Sequence, residues 1–155
     1  MKRVIFISCI IWVLVSLIAI PLYAESRIEA KGMVKARGNG MVSVSGSGDV
    51  EISGNGLLKT SENAVVEILE GSGEQIEPED GGTLYINFNG KAKISGNGIG
   101  VEFNGANIIL RAEGHGEITL KGTGLYIMGG VINYWNPVEK TIIIFSPSEG
   151  EENRQ

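Results

Sequence analysis

The chain has 155 residues, 43% of them hydrophobic and only 20% charged, with 23 glycines, one cysteine and one histidine. Its formal net charge of −5 at pH 7 argues against nucleic-acid binding, because such proteins need a basic face to meet phosphates. The single cysteine excludes an internal disulfide and a thiolate zinc site, and the single histidine excludes a histidine pair on zinc. We therefore expect one domain with neither a metal nor another cofactor.

The first 24 residues have the composition of an export signal. Met1 to Arg3 is a short basic start, Val4 to Leu22 is almost wholly apolar, and Ala24 is a small residue at the expected cleavage point. The apolar run is also close to the length of about 20 residues that spans a bilayer. We predict a cleaved signal peptide over residues 1–24, with an uncleaved membrane anchor as the alternative. In both cases the rest of the chain lies outside the cytoplasm, as a secreted, periplasmic or cell-surface domain.

Residues 25–145 are predicted to form a β-repeat domain, because polar and apolar residues alternate along most of this stretch. A period of two is typical of strands with one buried and one exposed face. Nearly all the residues expected on the buried face have even numbers: Ile28, Ala30, Val34, Ala36, Val42, Val44, Val50, Ile52, Leu84, Ile86, Phe88, Ala92, Ile94, Ile108, Leu110, Ala112, Ile118 and Leu120. The parity becomes odd at residues 99–103 and again near Leu125 and Ile127, where we expect bulges or corners of different length.

Glycine triplets interrupt the alternation at regular intervals. Gly-x-Gly occurs at residues 38–40, 46–48, 54–56, 96–98, 114–116 and 122–124. Since glycine tolerates positive φ angles, these triplets predict tight turns, corners or bulges. Many of them are eight residues apart, and an even spacing returns each repeat to the same inward parity.

Direct internal repetition supports a repeat architecture, because residues 46–57 align with 114–125 and residues 48–56 align with 90–98. Such repeats favour a β-solenoid, a β-helix-like stack of short strands in which successive units pair in parallel. The alternative is an antiparallel β-sandwich or barrel built from hairpins.

The remaining segments are expected to be a strand, a loop, a cap and a tail. Residues 61–71 are predicted as a strand in preference to a helix because they are rich in β-branched side chains. Residues 70–82 are acidic and glycine-rich, which predicts a surface loop. We expect residues 131–137 and 141–145 to form a closing hairpin, followed by a disordered acidic tail over residues 146–155.

Tyr134, Trp135 and Asn136 are the candidate ligand-binding residues. Two adjacent aromatic rings beside an amide offer a platform on which a sugar stacks. The alternative is that the rings cover the open end of the hydrophobic core.

No catalytic set is expected. Asp49 and Glu51 share a strand face at a separation that glycosidases use, but any i and i+2 carboxylates on a strand lie that close. His115 stands between two glycines and is expected at an exposed corner. The sequence therefore predicts a protein that is not an enzyme.

Residues 44–52, which contain Ser-Gly-Ser-Gly-Asp, resemble the repeated unit of the autotransporter adhesin head domains. This resemblance implies a β-helix-like fold and a role at the cell surface or in the periplasm, with adhesion as the function, and it brings no catalytic residues. We expect an exported, non-enzymatic structural or adhesion module of the cell surface or envelope. A self-assembling β-repeat protein and a carbohydrate-binding or carbohydrate-active β-helix protein are the alternatives. The expected partners are a glycan or envelope polymer, a second copy of the chain, and a membrane only through residues 1–24 if they are not cleaved.

Overall fold

The computed structural model describes residues 25–148, and these residues are almost entirely β-strand. The six strands are β1 (Glu25–Lys31), β2 (Val34–Thr60), β3 (Val65–Ile76), β4 (Thr83–Met128), β5 (Val131–Trp135) and β6 (Lys140–Ser146). They form one open mixed sheet in the order β1-β6-β4-β2, and β3 and β5 also pair with β4. Over this range there is no helix, and so none that is long and apolar enough to cross a membrane. The prediction of an all-β fold is confirmed.

β2 and β4 dominate the sheet and are 27 and 46 residues long, whereas an ordinary strand has about five or six. β2 pairs with segments of β4 along both of its edges. Ala36 of β2 lies opposite Leu110 along one edge and opposite Tyr126 along the other. Leu110 in turn lies between Ala36 and Ile52, which are sixteen residues apart. Segments of β2 and β4 therefore alternate across the sheet, and each strand returns to equivalent neighbours after about sixteen residues.

The direction of pairing differs from the parallel stacking that the predicted solenoid requires. The two most similar repeats, residues 48–56 and 90–98, pair with each other in antiparallel fashion, with Gly48 opposite Gly96 and Gly54 opposite Gly90. Among the described strands, parallel pairing joins only β1 and β6. Parallel stacking of the repeats is therefore wrong for the β2–β4 core. The eight-residue spacing could not reveal this, because an even spacing preserves inward parity in either direction.

Most of the glycine triplets lie within strands and not in turns between them. Triplet 38–40 pairs with triplet 122–124, and triplet 46–48 pairs with triplet 114–116. A Cβ atom added to Gly46 would lie 2.2 Å from the carbonyl oxygen of His115 and 2.7 Å from the Cα atom of Gly116. Glycine is required there because the two backbones approach too closely for any side chain. The triplets thus serve as corners inside long strands, which is one of the three expected forms, and not as tight turns between strands.

The buried side chains form one core and largely follow the predicted alternation. The shift to odd parity at residues 99–103 is confirmed, since Ile99, Val101 and Phe103 are all buried. Residues with positive φ flank this stretch, Gly98 at 65° and Asn107 at 54°, and neither has a partner in the ladder with β2. These two irregularities insert the extra residues that reverse the parity and then restore it.

Leu84 and Ile86, expected on the buried face, are only half-buried, and Tyr85 is buried instead. The reason is a third irregularity at Asn87, whose φ of 53° reverses the parity between Tyr85 and Phe88. Phe88 is buried as predicted.

The second parity change, expected near Leu125 and Ile127, does not occur. Tyr126 is buried and both aliphatic neighbours are directed to the outer face. The corner at residues 122–124 adds no residue, because the register with β2 stays constant from Gly122 to Tyr126. The core therefore takes the tyrosine, whose ring is as suitable for burial as a leucine.

The C-terminal strands do not form the predicted hairpin. β5 pairs with β4 through the turn at Gly129 and Gly130, whereas β6 lies between β1 and β4. The strand predicted at 61–71 is confirmed over residues 65–71, because β3 begins at Val65. It continues to Ile76, so the acidic loop is limited to residues 77–82. Ser146 ends β6 and does not begin a tail. The predictions for residues 1–24 and 149–155 fall outside the described residues.

Candidate functional site

The three candidate ligand residues do not form one platform. Tyr134 is 77% exposed, but Trp135 is only 3% exposed and points to the opposite face of β5. Asn136 serves the turn that follows, because its Oδ1 atom accepts hydrogen bonds from the backbone N–H groups of Val138 at 3.0 Å and Glu139 at 3.1 Å. The two rings therefore do not form one stacking surface, and Trp135 packs against the core, while ligand binding by these three residues stays a prediction.

Trp135 packs against glycines of the first and last corners. A Cβ atom added to Gly38 would lie 2.7 Å from the Cζ2 atom of Trp135, and one added to Gly124 would lie 2.1 Å from the Nε1 atom of Trp135. The indole N–H finds no acceptor among the described residues. The absence of side chains at these two corners creates the space that the indole fills.

A groove of about 330 Å³ lies on the outer face of β2 and β4. Its outward-facing apolar side chains are Ile109, Leu125 and Ile127, and the buried residues Ala36, Ile52 and Leu110 also line it. Its charged side chains are Lys35, Arg37, Glu51, Lys91 and Arg111. Four cations against one carboxylate make this groove positive in a chain whose net charge is negative.

Two rows of outward-facing side chains form the groove, because residues paired across antiparallel strands lie on the same face. One row is Leu125, Arg37, Ile109, Ser53 and Lys91. The other is Ile127, Lys35, Arg111, Glu51 and Lys93. Neighbouring strands are about 4.8 Å apart, so each row of five extends about 19 Å across the sheet. Residues distant in sequence are thus held on rigid strands and not on loops.

Ion pairs occupy one half of the groove. The Nζ atom of Lys91 lies 2.8 Å from a carboxylate oxygen of Glu51, and this hydrogen bond and charge lower the pKa of Glu51 below its ordinary value. The Nη2 atom of Arg111 lies 2.6 Å from the Oε1 atom of Glu113, and this hydrogen bond and charge raise the pKa of the Arg111 guanidinium. The Nζ atom of Lys93 lies 3.7 Å from a carboxylate oxygen of Asp49 on the neighbouring strand. These charges are neutralised within the protein.

Lys35 and Arg37 are the cations left over. Both side chains are exposed, and neither forms an ion pair with any residue between 25 and 148. Their direct neighbours across the strands include Ile127 and Leu125, respectively. The groove therefore places two unpaired cations beside an apolar surface, an arrangement that can hold an anion next to an apolar group.

The residues considered for catalysis lie elsewhere or are already paired. Asp49 lies 3.7 Å from Lys93, and Glu51 is bonded to Lys91. Glycosidases need one carboxyl group with a raised pKa to act as the general acid. Glu51, whose pKa is lowered, is unsuited to that role. His115 is exposed at a corner opposite Ser47. Within the described range, no three acidic, histidine or cysteine side chains are grouped as a metal site would need.

Sequence reasoning missed the groove because it depends on which strand segments are neighbours. One local signal was available in Ile109, an aliphatic residue at an outward parity position between Ile108 and Leu110. It is 56% exposed. Single exposed apolar side chains are ordinary and only a contiguous apolar patch marks a contact surface, so Ile109 alone was a weak signal.

Comparison with known proteins identifies no relative. No protein-family model, no curated protein and no solved structure matches this chain. What the fold and the groove define together is an all-β protein with one open sheet and a cationic and apolar outer face.

Proposed function

We propose that this protein is an exported, non-enzymatic structural or adhesion module of the cell surface or envelope, and that its outer groove holds an anionic ligand there. The observation that carries this proposal is the pair of unpaired cations, Lys35 and Arg37, beside the apolar side chains of Leu125 and Ile127. Export is supported by the composition of residues 1–24.

The scaffold suits a binding role because the groove side chains are presented by strands whose opposite face is the core. Ala36, between the two cations, is buried, as are Leu110 and Ile52 on the neighbouring strand segments. Sites built on strands are held more precisely than sites on loops. The groove is open to solvent, which fits attachment to a surface component better than enclosure of a reacting substrate.

We also infer a specific architecture, a β-helix-like solenoid wound from two antiparallel strands instead of one. Its support is that Leu110 of β4 contacts two positions of β2 that are sixteen residues apart, Ala36 and Ile52. This arrangement keeps the repeat that the sequence shows and satisfies the antiparallel register. It is also consistent with the β-helix-like fold that the resemblance of residues 44–52 implies.

The proposed function is tested by titrating the protein, purified after expression of the full chain with export permitted, against an acidic polysaccharide such as polygalacturonate. We expect binding that weakens as salt concentration rises, and none to neutral dextran. The double variant Lys35→Gln/Arg37→Gln should lose most of this binding. The matched control, Lys121→Gln/Lys140→Gln, removes the same charge away from the groove and should bind like the wild type. Equal loss in both variants would mean that net charge alone is responsible and would contradict the proposal.

Self-assembly is a second candidate, favoured by the outer edge of β5. Within the described residues β5 pairs only with β4, it carries no charged side chain, and Ile132 is 57% exposed. The outer edge of β3 is different because Glu67, Glu70 and Glu74 discourage pairing between copies. Two β5 edges related by a two-fold axis would form a dimer. Sedimentation should then show a concentration-dependent dimer that Ile132→Lys abolishes, and a wild-type monomer at high concentration would exclude this candidate.

A further inference from the structure

The apolar part of the groove continues beyond β4 onto β5. Tyr134 is paired with Leu125, and Ile132 is paired with Ile127. All four side chains therefore lie on the same outer face, and Tyr134 and Ile132 are among the most exposed large apolar side chains of the described residues. A continuous apolar strip thus extends from the groove to the edge of the sheet.

Cations are found at one end of this strip only. Arg37 lies beside Leu125, and Lys35 lies beside Ile127. Both cations are on the next strand toward the centre of the sheet, about 4.8 Å from the strand that carries the two apolar residues. The β5 end of the strip carries no charge, because β5 contains only valine, isoleucine, asparagine, tyrosine and tryptophan. The surface consequently has a fixed polarity, apolar at the sheet edge and cationic further in.

The far end of the groove is unfavourable for a long polyanion. Beyond the cations, Lys91 is already bonded to Glu51, and the next strand presents Glu70 opposite Lys91 and Glu67 opposite Lys93. An anionic chain that followed either row across the whole sheet would meet these carboxylates, so a polyanion can be held only where its acidic groups reach Lys35 and Arg37. A ligand with one anionic group and an apolar remainder avoids the carboxylates.

We propose that the groove binds a single-chain amphiphile with an anionic head. The head lies between Lys35 and Arg37, and the chain lies over Leu125 and Ile127 toward Ile132. The groove volume of about 330 Å³ fits one small ligand, since small-molecule sites begin at about 300 Å³. This inference rests on the groove of the proposed function and names the class of its ligand.

The test is isothermal titration calorimetry of the protein, expressed as the full chain and exported, with decyl phosphate below its critical micelle concentration. Decanol, which has only the chain, and inorganic phosphate, which has only the head, are titrated for comparison. We expect decyl phosphate to bind more tightly than either of these two. Lys35→Gln/Arg37→Gln should weaken it about tenfold or more, because two charge-assisted contacts to the head are lost. Ile127→Asn should weaken decyl phosphate while leaving the binding of inorganic phosphate unchanged. The control Lys121→Gln/Lys140→Gln should behave like the wild type, and circular dichroism verifies that each variant is folded.

Three outcomes would overturn the inference. Inorganic phosphate that binds as tightly as decyl phosphate would show a simple anion site. Binding to anionic phospholipid vesicles without binding of monomeric decyl phosphate would show a membrane surface as the partner. If polygalacturonate binds and decyl phosphate does not, the amphiphile inference is overturned and the proposed function stands. If neither probe binds, both the inference and the proposed function are wrong.

Discussion

Gly46 and Gly116 face each other at a corner where the backbones of β2 and β4 leave no room for a Cβ atom. We expect Gly46→Ala to destabilise the protein by about 2 kcal/mol or more, because the methyl group collides with a backbone carbonyl and the φ of +150° is unfavourable for alanine. Gly100→Ala is the matched control, since the nearest neighbour of the added methyl group would be the Cβ atom of Ser61 at 3.7 Å, an ordinary van der Waals distance.

Chemical denaturation of both variants measures this difference. Gly100→Ala should remain within about 0.5 kcal/mol of the wild type. If the two substitutions cost the same, close backbone approach is not what selects glycine at the corners.

The alternation rule identified most of the buried aliphatic residues and also Phe88 and Phe103, but it failed on the tyrosines. Val44 and Ile52 were predictable because an aliphatic side chain on a strand gains little except by burial. Tyrosine suits either face, so the burial of Tyr85 and Tyr126 and the exposure of Tyr134 follow from register alone. Trp135 belongs to the same class, and its space depends on two glycines that are distant in sequence.

At the scale of elements, Asn107 illustrates how a single residue sets the register of β4. Its backbone N–H donates a 2.8 Å hydrogen bond to Oδ1 of Asn39, which satisfies the group that the ladder leaves unpaired. Deleting Asn107 should abolish cooperative unfolding, because one side of β4 would turn its apolar face outward. Asn107→Gly keeps the residue count and suits the φ of 54°, so we expect its stability to stay within about 1 kcal/mol of the wild type.

Thermal unfolding followed by circular dichroism compares the two variants. A deletion variant that melted cooperatively near the wild-type temperature would mean that the sheet absorbs the register change elsewhere, for example at the irregularity of Asn87.

Element type was predictable along most of the chain, but element boundaries and partners were not. The glycine triplets carry the same composition as turns, and only the neighbouring backbone distinguishes a corner within a strand from a turn between strands. β5 and β6 were expected to pair because they are adjacent in sequence, yet β6 pairs with β1, more than a hundred residues earlier. Non-local pairing of this kind leaves no local sequence signal.

At the scale of the whole molecule, the groove exists only because distant segments are brought side by side. Arg37 of β2 becomes the neighbour of both Ile109 and Leu125 of β4. The sequence showed cations and apolar residues in alternation, but it could not show which of them share a row. Fold class therefore came from local pattern, whereas the candidate site required the register.

The interleaving of β2 and β4 also predicts how the molecule unfolds. Repeat proteins whose units contact only their neighbours can lose terminal units before the rest. Here β4 extends from its pairing with β3 to its pairing with β5, and β2 is held between its segments, so no part of the core can separate without breaking these two strands. We expect one cooperative transition.

Trp12 and Trp135 are the two tryptophans of the chain, so the substitution Trp12→Phe leaves Trp135 as a single fluorescent probe at the β5 end of the sheet. Urea unfolding followed by this fluorescence and by far-ultraviolet circular dichroism should give the same midpoint and slope, because the end and the whole unfold together. A fluorescence transition at clearly lower urea would mean that β5 and its neighbours form a separate unit. The interleaved strands would then not couple the two ends of the sheet, and the inferred two-strand solenoid would lose its main mechanical consequence.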